Sequence, residues 1–321
     1  MREIILNFQK QFSLRPELQN DSGISADSPK ATVVGGMGGS ALAGLILQNI
    51  KSELPLFVHR SYGVPCGIPV SPQETQYIAV SHSGNTEETL DFAHEALRQG
   101  GQVGVITQGG RLLAWAIENK IPHIVLPNDA IQPRLALGYH MVALLKFMPG
   151  TISLNDTEEI TSALAPSTFE AAGTELGNML KGKIPVVYAS ERNSSLAYIW
   201  KIKFNETAKI PAFWNIFPEL NHNEMAGSDT RDTAVKKLLH FVFLTDAEDS
   251  ERVKLRMSIT SELYRKEGFS ASIHALQGKA RVTRMFGSIL TADWATLRLS
   301  EINHTEPDAV KIIEEFKKKL A

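Results

Sequence analysis

Cysteine is nearly absent: Cys66 is the single one in 321 residues. No intrachain disulfide can form, which is compatible with a reducing compartment. Long apolar runs are missing too. No stretch approaches the roughly 18 consecutive apolar residues that cross a bilayer, so no transmembrane helix is expected. The opening residues MREIILNFQKQF lack a basic start followed by an apolar run and do not read as a signal peptide. Excess charge of either sign is lacking as well. The 33 Lys and Arg residues nearly balance 35 Asp and Glu, so neither nucleic acid nor a membrane surface is an expected partner. Low-complexity tracts and short solenoid repeats are absent. What remains suits a globular cytoplasmic protein, and the length suggests two domains.

Strand and helix patterns alternate along most of the chain. The fold class expected is α/β, with two subdomains that are each a mainly parallel sheet flanked by helices. In the first half, strands are predicted at 32–35, 54–59, 77–80, 103–107 and 123–126. Helices are predicted over 1–20, 40–50, 86–98 and 112–119. Pro133 then opens an apolar helix over 134–148, since proline suits a first helical position. Pro149-Gly150 ends it, and the polar run 153–159 reads as the linker between domains 1–152 and 153–321. The second half repeats the theme. It has strands at 186–189, 212–216, 240–244 and 271–275, and helices over 157–181, 195–208, 249–267, 281–302 and 307–320.

The most informative stretch is SHSGNTEET, Ser81 to Thr89. An apolar strand runs into a turn bearing Ser81, Ser83 and Thr86 around Gly84-Asn85. A helix opens at once, with Glu87 and Glu88 in its first turn. Hydroxyls and free backbone N–H groups therefore meet at the positive end of a helix dipole, which is a cradle for phosphate. The loop holds no lysine, which argues against a triphosphate site of the Walker type. A small phosphorylated metabolite is the ligand expected.

Gly36-Met37-Gly38-Gly39-Ser40-Ala41 follows the first strand and fits G-x-G-x-x-A loosely. Dinucleotide binding would need an acid at the end of the next strand to hold a ribose. That region reads Leu56-Phe57-Val58-His59-Arg60, without one. A tight turn is the better reading, with Gly38 and Gly39 admitting a ligand to the backbone and Ser40 adding a hydroxyl. In a parallel sheet such loops share the carboxyl edge, where Ser40, Ser81, Ser83 and Thr86 can converge. The second half supplies acid–base candidates. Glu206, in Phe204-Asn205-Glu206-Thr207-Ala208-Lys209, reads as a base or as a solvated helix residue. His222, in Glu219-Leu220-Asn221-His222-Asn223-Glu224, reads as a catalyst or as a structural hydrogen-bonder. His222 and Glu224 alone do not make a metal site, so no metal is expected.

GMGGSALAG, SHSGNTEET, PRLALGY, FNETAK, NHNEMAG and EPDAVKIIEEFKKKL occur in this order. Together they resemble the bifunctional phosphoglucose/phosphomannose isomerases, two-domain members of the sugar isomerase (SIS) superfamily, over nearly the whole chain. The resemblance implies phosphate binding by Ser40, Ser81, Ser83 and Thr86, with Arg134 near C1 and C2 of the sugar. It implies Glu206 as the base that moves a proton between those carbons. His222 would assist ring opening from the neighbouring subunit of a homodimer. Lys317 aligns with a lysine linked to the same step, with Lys318 and Lys319 beside it. No cofactor is implied. The family uses a C-terminal threonine to make room for mannose isomers. The matching stretch Glu306-Pro307-Asp308-Ala309 has none, although Thr305 is adjacent.

The reaction implied joins glucose 6-phosphate, and mannose 6-phosphate, to fructose 6-phosphate through an enediol. Two other readings use the same fold: a non-enzymatic sugar-phosphate regulator, and an isomerase of a different phosphosugar. A regulator has no use for Glu206, His222 and Arg134 together.

Overall fold

The computed structural model describes residues 1–21, 29–51, 55–148 and 160–320. Contacts divide the chain into two units, Asn7–Ala163 and Leu164–Ala321, the latter joined by Met1–Leu6. The expected linker run 153–159 and the expected boundary after residue 152 lie outside the described residues.

Five parallel strands build the first unit: β1 (Ala31–Gly35), β2 (Leu56–His59), β3 (Thr75–Ser81), β4 (Gln102–Thr107) and β5 (His123–Val125). Their order is β2-β1-β3-β4-β5. Every residue of β1 and β3 is buried, as central parallel strands require when both faces are covered. From β1 the chain moves to one side for β2 and returns to the other for β3. The crevice between β1 and β3 is therefore the topological switch point, where ligands of open α/β sheets bind. The core joins Val33, Tyr77, Ala79 and Val105 to Phe92 and Ala96 on the covering helix Glu87–Arg98.

The second unit carries β6 (Ile184–Ser190), β7 (Phe213–Phe217), β8 (Leu239–Thr245) and β9 (Ser270–Ala275), all parallel, in the order β7-β6-β8-β9. This repeats the first sheet without a counterpart of β5. Tyr188, Phe217, Phe241, Phe243 and Tyr264 form an aromatic core on it. Lys203 and Asp293 pair at 2.5 Å with almost no exposure, so each charge is kept in the interior by the other.

The sequence pattern located all nine strands found among the described residues. Helix boundaries differ where proline intervenes. The first helix, α1, ends at Leu6, and Phe8–Ser13 is 3-10 helix. Pro16 disfavours helix at Arg15, and Gln19 bridges to His123 instead. The helix expected over 157–181 is broken by a 3-10 turn at Pro166–Phe169 and resumes at Glu170–Met179. The last helix starts at Lys311 rather than 307, after Pro307. Thr233–Leu238 is a helix that the apolar pattern did not announce. Its signal is a cap: the Asp232 carboxylate accepts from the N–H groups of Ala234 and Val235 at 2.8 and 3.4 Å.

Desolvation pushes four histidines down, the buried His82, His140 and His240 and the half-buried His274. His82 is lowered, His140 falls to about 3, and His240 and His274 fall to about 4. An unfolded imidazole takes up a proton near pH 6.5, whereas these do not. The unfolded chain therefore binds more protons as the pH falls, and stability drops between about pH 6.5 and 4. Urea midpoints are expected to decline steadily below pH 6.5, with roughly 1 kcal/mol or more of unfolding free energy lost for each of His140, His240 and His274. A flat midpoint from pH 7 to 5 would contradict this.

Candidate active site

Strand β3 ends at Ser81, and α3 (Glu87–Arg98) begins after Thr86. Thr86 has extended backbone and makes no capping bond, so the first-turn amides of α3 lack a side-chain cap. Its hydroxyl accepts instead from Ser81 Oγ at 3.0 Å. Ser81 Oγ also accepts from Gly84 N at 3.1 Å. Ser40 Oγ accepts from His82 N at 3.1 Å, tying the loop after β1 to the loop after β3. The hydroxyls therefore divide. Ser40 and Ser81 are buried and shape the loop, whereas Ser83 is exposed and Thr86 half-buried beside uncapped amides. Glu87 and Glu88 favour this helix end by the dipole, and an anion there gains from the same field.

Two glycines make the loop possible. Gly84 has φ +69°, and a Cβ there would lie 1.7 Å from Gly109 O. Its carbonyl accepts from Leu112 N at 2.9 Å, locking the loop to the next helix, α4 (Gly110–Glu118). Gly39 sits in the 3-10 turn Gly38–Ala41, where a Cβ would lie 2.5 Å from Arg134 N. The glycine loop thus meets the backbone of the Pro133–Leu135 turn, and Arg134 is 1% exposed. Gly38 has φ +51°, the left-handed region that glycine adopts without strain.

Gly84→Ala is expected to cost roughly 1–3 kcal/mol by overpacking and strain. Urea denaturation would detect it, and an unchanged midpoint would contradict the tight loop.

The second unit repeats the topology but not the cradle. The loop after β8 is Asp246-Ala247-Glu248-Asp249-Ser250. There Asp249 accepts from Ser190 Oγ at 2.5 Å, and Asp246 pairs with Arg281 at 3.2 Å and Arg284 at 3.1 Å. Carboxylates fill the edge that carries the Ser83 and Thr86 hydroxyls in the first unit. Asp246 and Glu248 are in turn engaged by Arg192, Arg281 and Arg284, so the charged groups of this edge pair with one another.

Glu206 is the last residue of α7 (Ser194–Glu206) and is half-buried. Beside it lies a cavity of about 600 Å³, lined among others by Asn205, Lys209, Thr305, Ala309 and Ile312. Lys209 has φ +56° and donates to the carbonyls of Glu206 and Ala309, fixing the helix end to the C-terminal segment. Thr305 Oγ1 is buried without a hydrogen-bond partner. His222 is exposed at the end of the 3-10 turn Glu219–His222. Glu224 accepts from Tyr188 OH at 2.5 Å and from Asn215 Nδ2, so its carboxylate secures β6 and β7. No cluster of three or more metal-ligating side chains occurs among the described residues.

Residues 169–320 match a family described as the bacterial phospho-glucose isomerase C-terminal SIS domain. A bifunctional phosphoglucose/phosphomannose isomerase from Thermoplasma acidophilum is 33% identical, with all of both chains covered. The chain belongs to the bifunctional phosphoglucose/phosphomannose isomerase family. A second such isomerase, from Caldicellulosiruptor bescii, is 32% identical over all of this chain and 99% of that one. Glucosamine-6-phosphate deaminase from Thermotoga maritima shares the fold at a TM-score of 0.65. It is 14% identical, over 96% of this chain and 95% of that one.

Within this phosphoglucose/phosphomannose isomerase family member, the structure groups the expected residues unevenly. Gly38, Gly39, Ser40, Ser81, Ser83, Thr86 and the Arg134 turn form one connected assembly in the first unit. In the second, Glu206 shares its cavity with Thr305 and Lys311, whereas Lys317 is not among the lining residues. Lys317, Lys318 and Lys319 all lie in the last turn of α11 (Lys311–Leu320), which buries no residue. Sequence reasoning missed Lys209. Its signal, a lone lysine after a helix end, is too common to single out.

Proposed function

We propose that this chain interconverts glucose 6-phosphate, and mannose 6-phosphate, with fructose 6-phosphate. The first unit holds the phosphate through Ser83, Thr86 and the α3 amides, with Ser40, Ser81, Gly38 and Gly39 shaping that cradle. Phosphate makes no bond in the reaction, and its binding energy positions the sugar. The second unit supplies acid–base chemistry. Glu206 removes the proton from C2 of the open-chain aldose and returns it to C1, giving the ketose. The enediol passed through carries developing negative charge on oxygen, which the fixed Arg134 cation stabilises. His222 and Lys317 serve ring opening as donor and acceptor. His222 is exposed, which suits delivery across the interface of a homodimer. The proton moves through one carboxylate, so the scheme calls for no metal or cofactor, and the setting proposed is the cytoplasm.

The observation carrying this reading is a hydroxyl-rich helix N-terminus at the switch point, in a chain similar over its full length to named isomerases of this pair. The test is a coupled assay on fructose 6-phosphate, reading glucose 6-phosphate and mannose 6-phosphate separately, with EDTA present. Turnover to both aldoses is expected. Saturable fructose 6-phosphate binding without turnover would replace the enzyme by a sugar-phosphate sensor. Turnover lost to EDTA would overturn the metal-free scheme.

A further inference from the structure

His82 stands between Ser81 and Ser83 in the hydroxyl loop, yet its ring is buried. Its Nε2 lies 2.9 Å from the carbonyl oxygen of Ile131. A carbonyl only accepts, so Nε2 carries the proton and Nδ1 is left as an acceptor. His140 Nε2 approaches that Nδ1 at 3.1 Å and must donate to it. The rings meet edge to face, at 86°. His140 Nδ1 is then unprotonated, buried, and without a hydrogen-bond partner. Burial lowers the basicity of both rings and keeps them neutral, and for two neutral rings this geometry assigns both tautomers.

Ile131 lies three residues before Arg134. Its neighbour Ala130 has φ +58°, a left-handed conformation that non-glycine residues adopt only when the surroundings impose it. Three contacts do so here. His82 donates to the Ile131 carbonyl, Ile131 N donates to Asp129 Oδ1 at 3.4 Å, and Tyr139 hydrogen-bonds Asp129, which helps burial push the phenol up to about 12. From the other side Gln11 donates to Leu135 O at 2.8 Å and accepts from Gly138 N at 3.0 Å.

We infer that His82 and His140 are positioning residues for the phosphosugar site: a neutral two-imidazole relay that sets the spacing between the Ser81–Thr86 loop and the turn carrying Arg134. This rests on the reading of those two segments as the substrate site. The relay touches no reacting atom. His82 is itself part of the Ser81–Thr86 loop and its ring reaches the Arg134 segment at Ile131, while its backbone N–H holds Ser40 of the loop after β1. A side chain that only filled space in this core would need neither of the ring's contacts, to Ile131 and to His140, and a leucine would do.

The test pairs His140→Phe, which keeps a ring but loses the donor, with His140→Gln, which keeps a donor near the Nε2 position. In His140→Phe, KM for fructose 6-phosphate and the inhibition constant of inorganic phosphate are expected to rise about tenfold, with kcat lowered. His140→Gln is expected to stay within about threefold of the parent chain. A folded His140→Phe with unaltered KM, kcat and phosphate inhibition would overturn the positioning role. Histidine-selective 15N spectroscopy on the unaltered protein at pH 7 decides the relay without any variant. Both rings are expected as neutral Nε2–H tautomers, and an Nδ1–H tautomer on either would sink the proposal. Should the parent chain show no isomerisation, the tautomers and phosphate binding still separate failure of the relay from failure of the assigned reaction.

Discussion

Glu206→Gln is expected to lower kcat by a factor of about 10²–10⁴ while leaving KM within a few-fold, the loss typical when a positioned general base is removed. The two side chains have nearly the same shape, but an amide has no lone pair basic enough to take a carbon-bound proton. Glu206 ends α7 beside the cavity, and Lys209 donates to the Glu206 backbone carbonyl. The substitution therefore leaves that anchor in place. Steady-state kinetics in both directions, with fructose 6-phosphate and glucose 6-phosphate, measures the loss. Wild-type turnover in the variant would remove Glu206 from the base role and leave Glu306 as the other carboxylate lining the cavity.

Ser83→Ala combined with Thr86→Ala is expected to lower kcat/KM for phosphorylated sugars by roughly 10²–10³, mostly through KM. Each hydroxyl loses a bond to a charged group worth about 1.5–3 kcal/mol, and losses within one loop do not add fully. Ser83 is exposed, so its removal leaves the core untouched. Thr86 also accepts from the buried Ser81, so its removal frees that hydroxyl. Ser81→Ala alone is the matching control, because it breaks the same internal bond without removing an outward hydroxyl. If KM in the double variant matched that of the control, the phosphate would have to lie elsewhere in the molecule.

These two outcomes bear on different units of the chain. A reduced kcat at constant KM belongs to the acid–base unit, and a raised KM belongs to the cradle. The contrast between the two sheets gives the same division a structural basis. Both place a loop from the first strand beside a loop from the third. In the first unit the contact runs from Ser40 to a backbone N–H, and Ser83 and Thr86 stay available. In the second, Ser190 donates to Asp249 and three arginines are engaged by Asp246 and Glu248. Duplicated topology does not imply a duplicated ligand, because the groups at each edge, and whether they pair with one another, decide what that edge admits.

Much of the architecture was legible because its determinants are local. Thr75–Ser81 and Leu239–Thr245 announce themselves as buried strands through the apolar runs Tyr77–Val80 and Phe241–Leu244. SHSGNTEE announces a strand, a turn and a helix start within eight residues. Arg15-Pro16 and Pro166 mark breaks that a longer apolar period had concealed. Thr233–Leu238 was missed because its apolar residues stay exposed or half-exposed and its cap at Asp232 was the sole cue.

By itself, then, the amino-acid order determined the alternation of strand and helix, the hydroxyl-bearing bend ahead of α3, and the full-length likeness to a family, since each is written in residues adjacent along the chain. Only the tertiary structure decided which hydroxyls stay open, that Gly39 lies against the Arg134 turn, and that His82 meets His140. Those facts depend on residues 42 and 58 positions apart being brought within hydrogen-bond reach, and no periodicity or local motif encodes that distance.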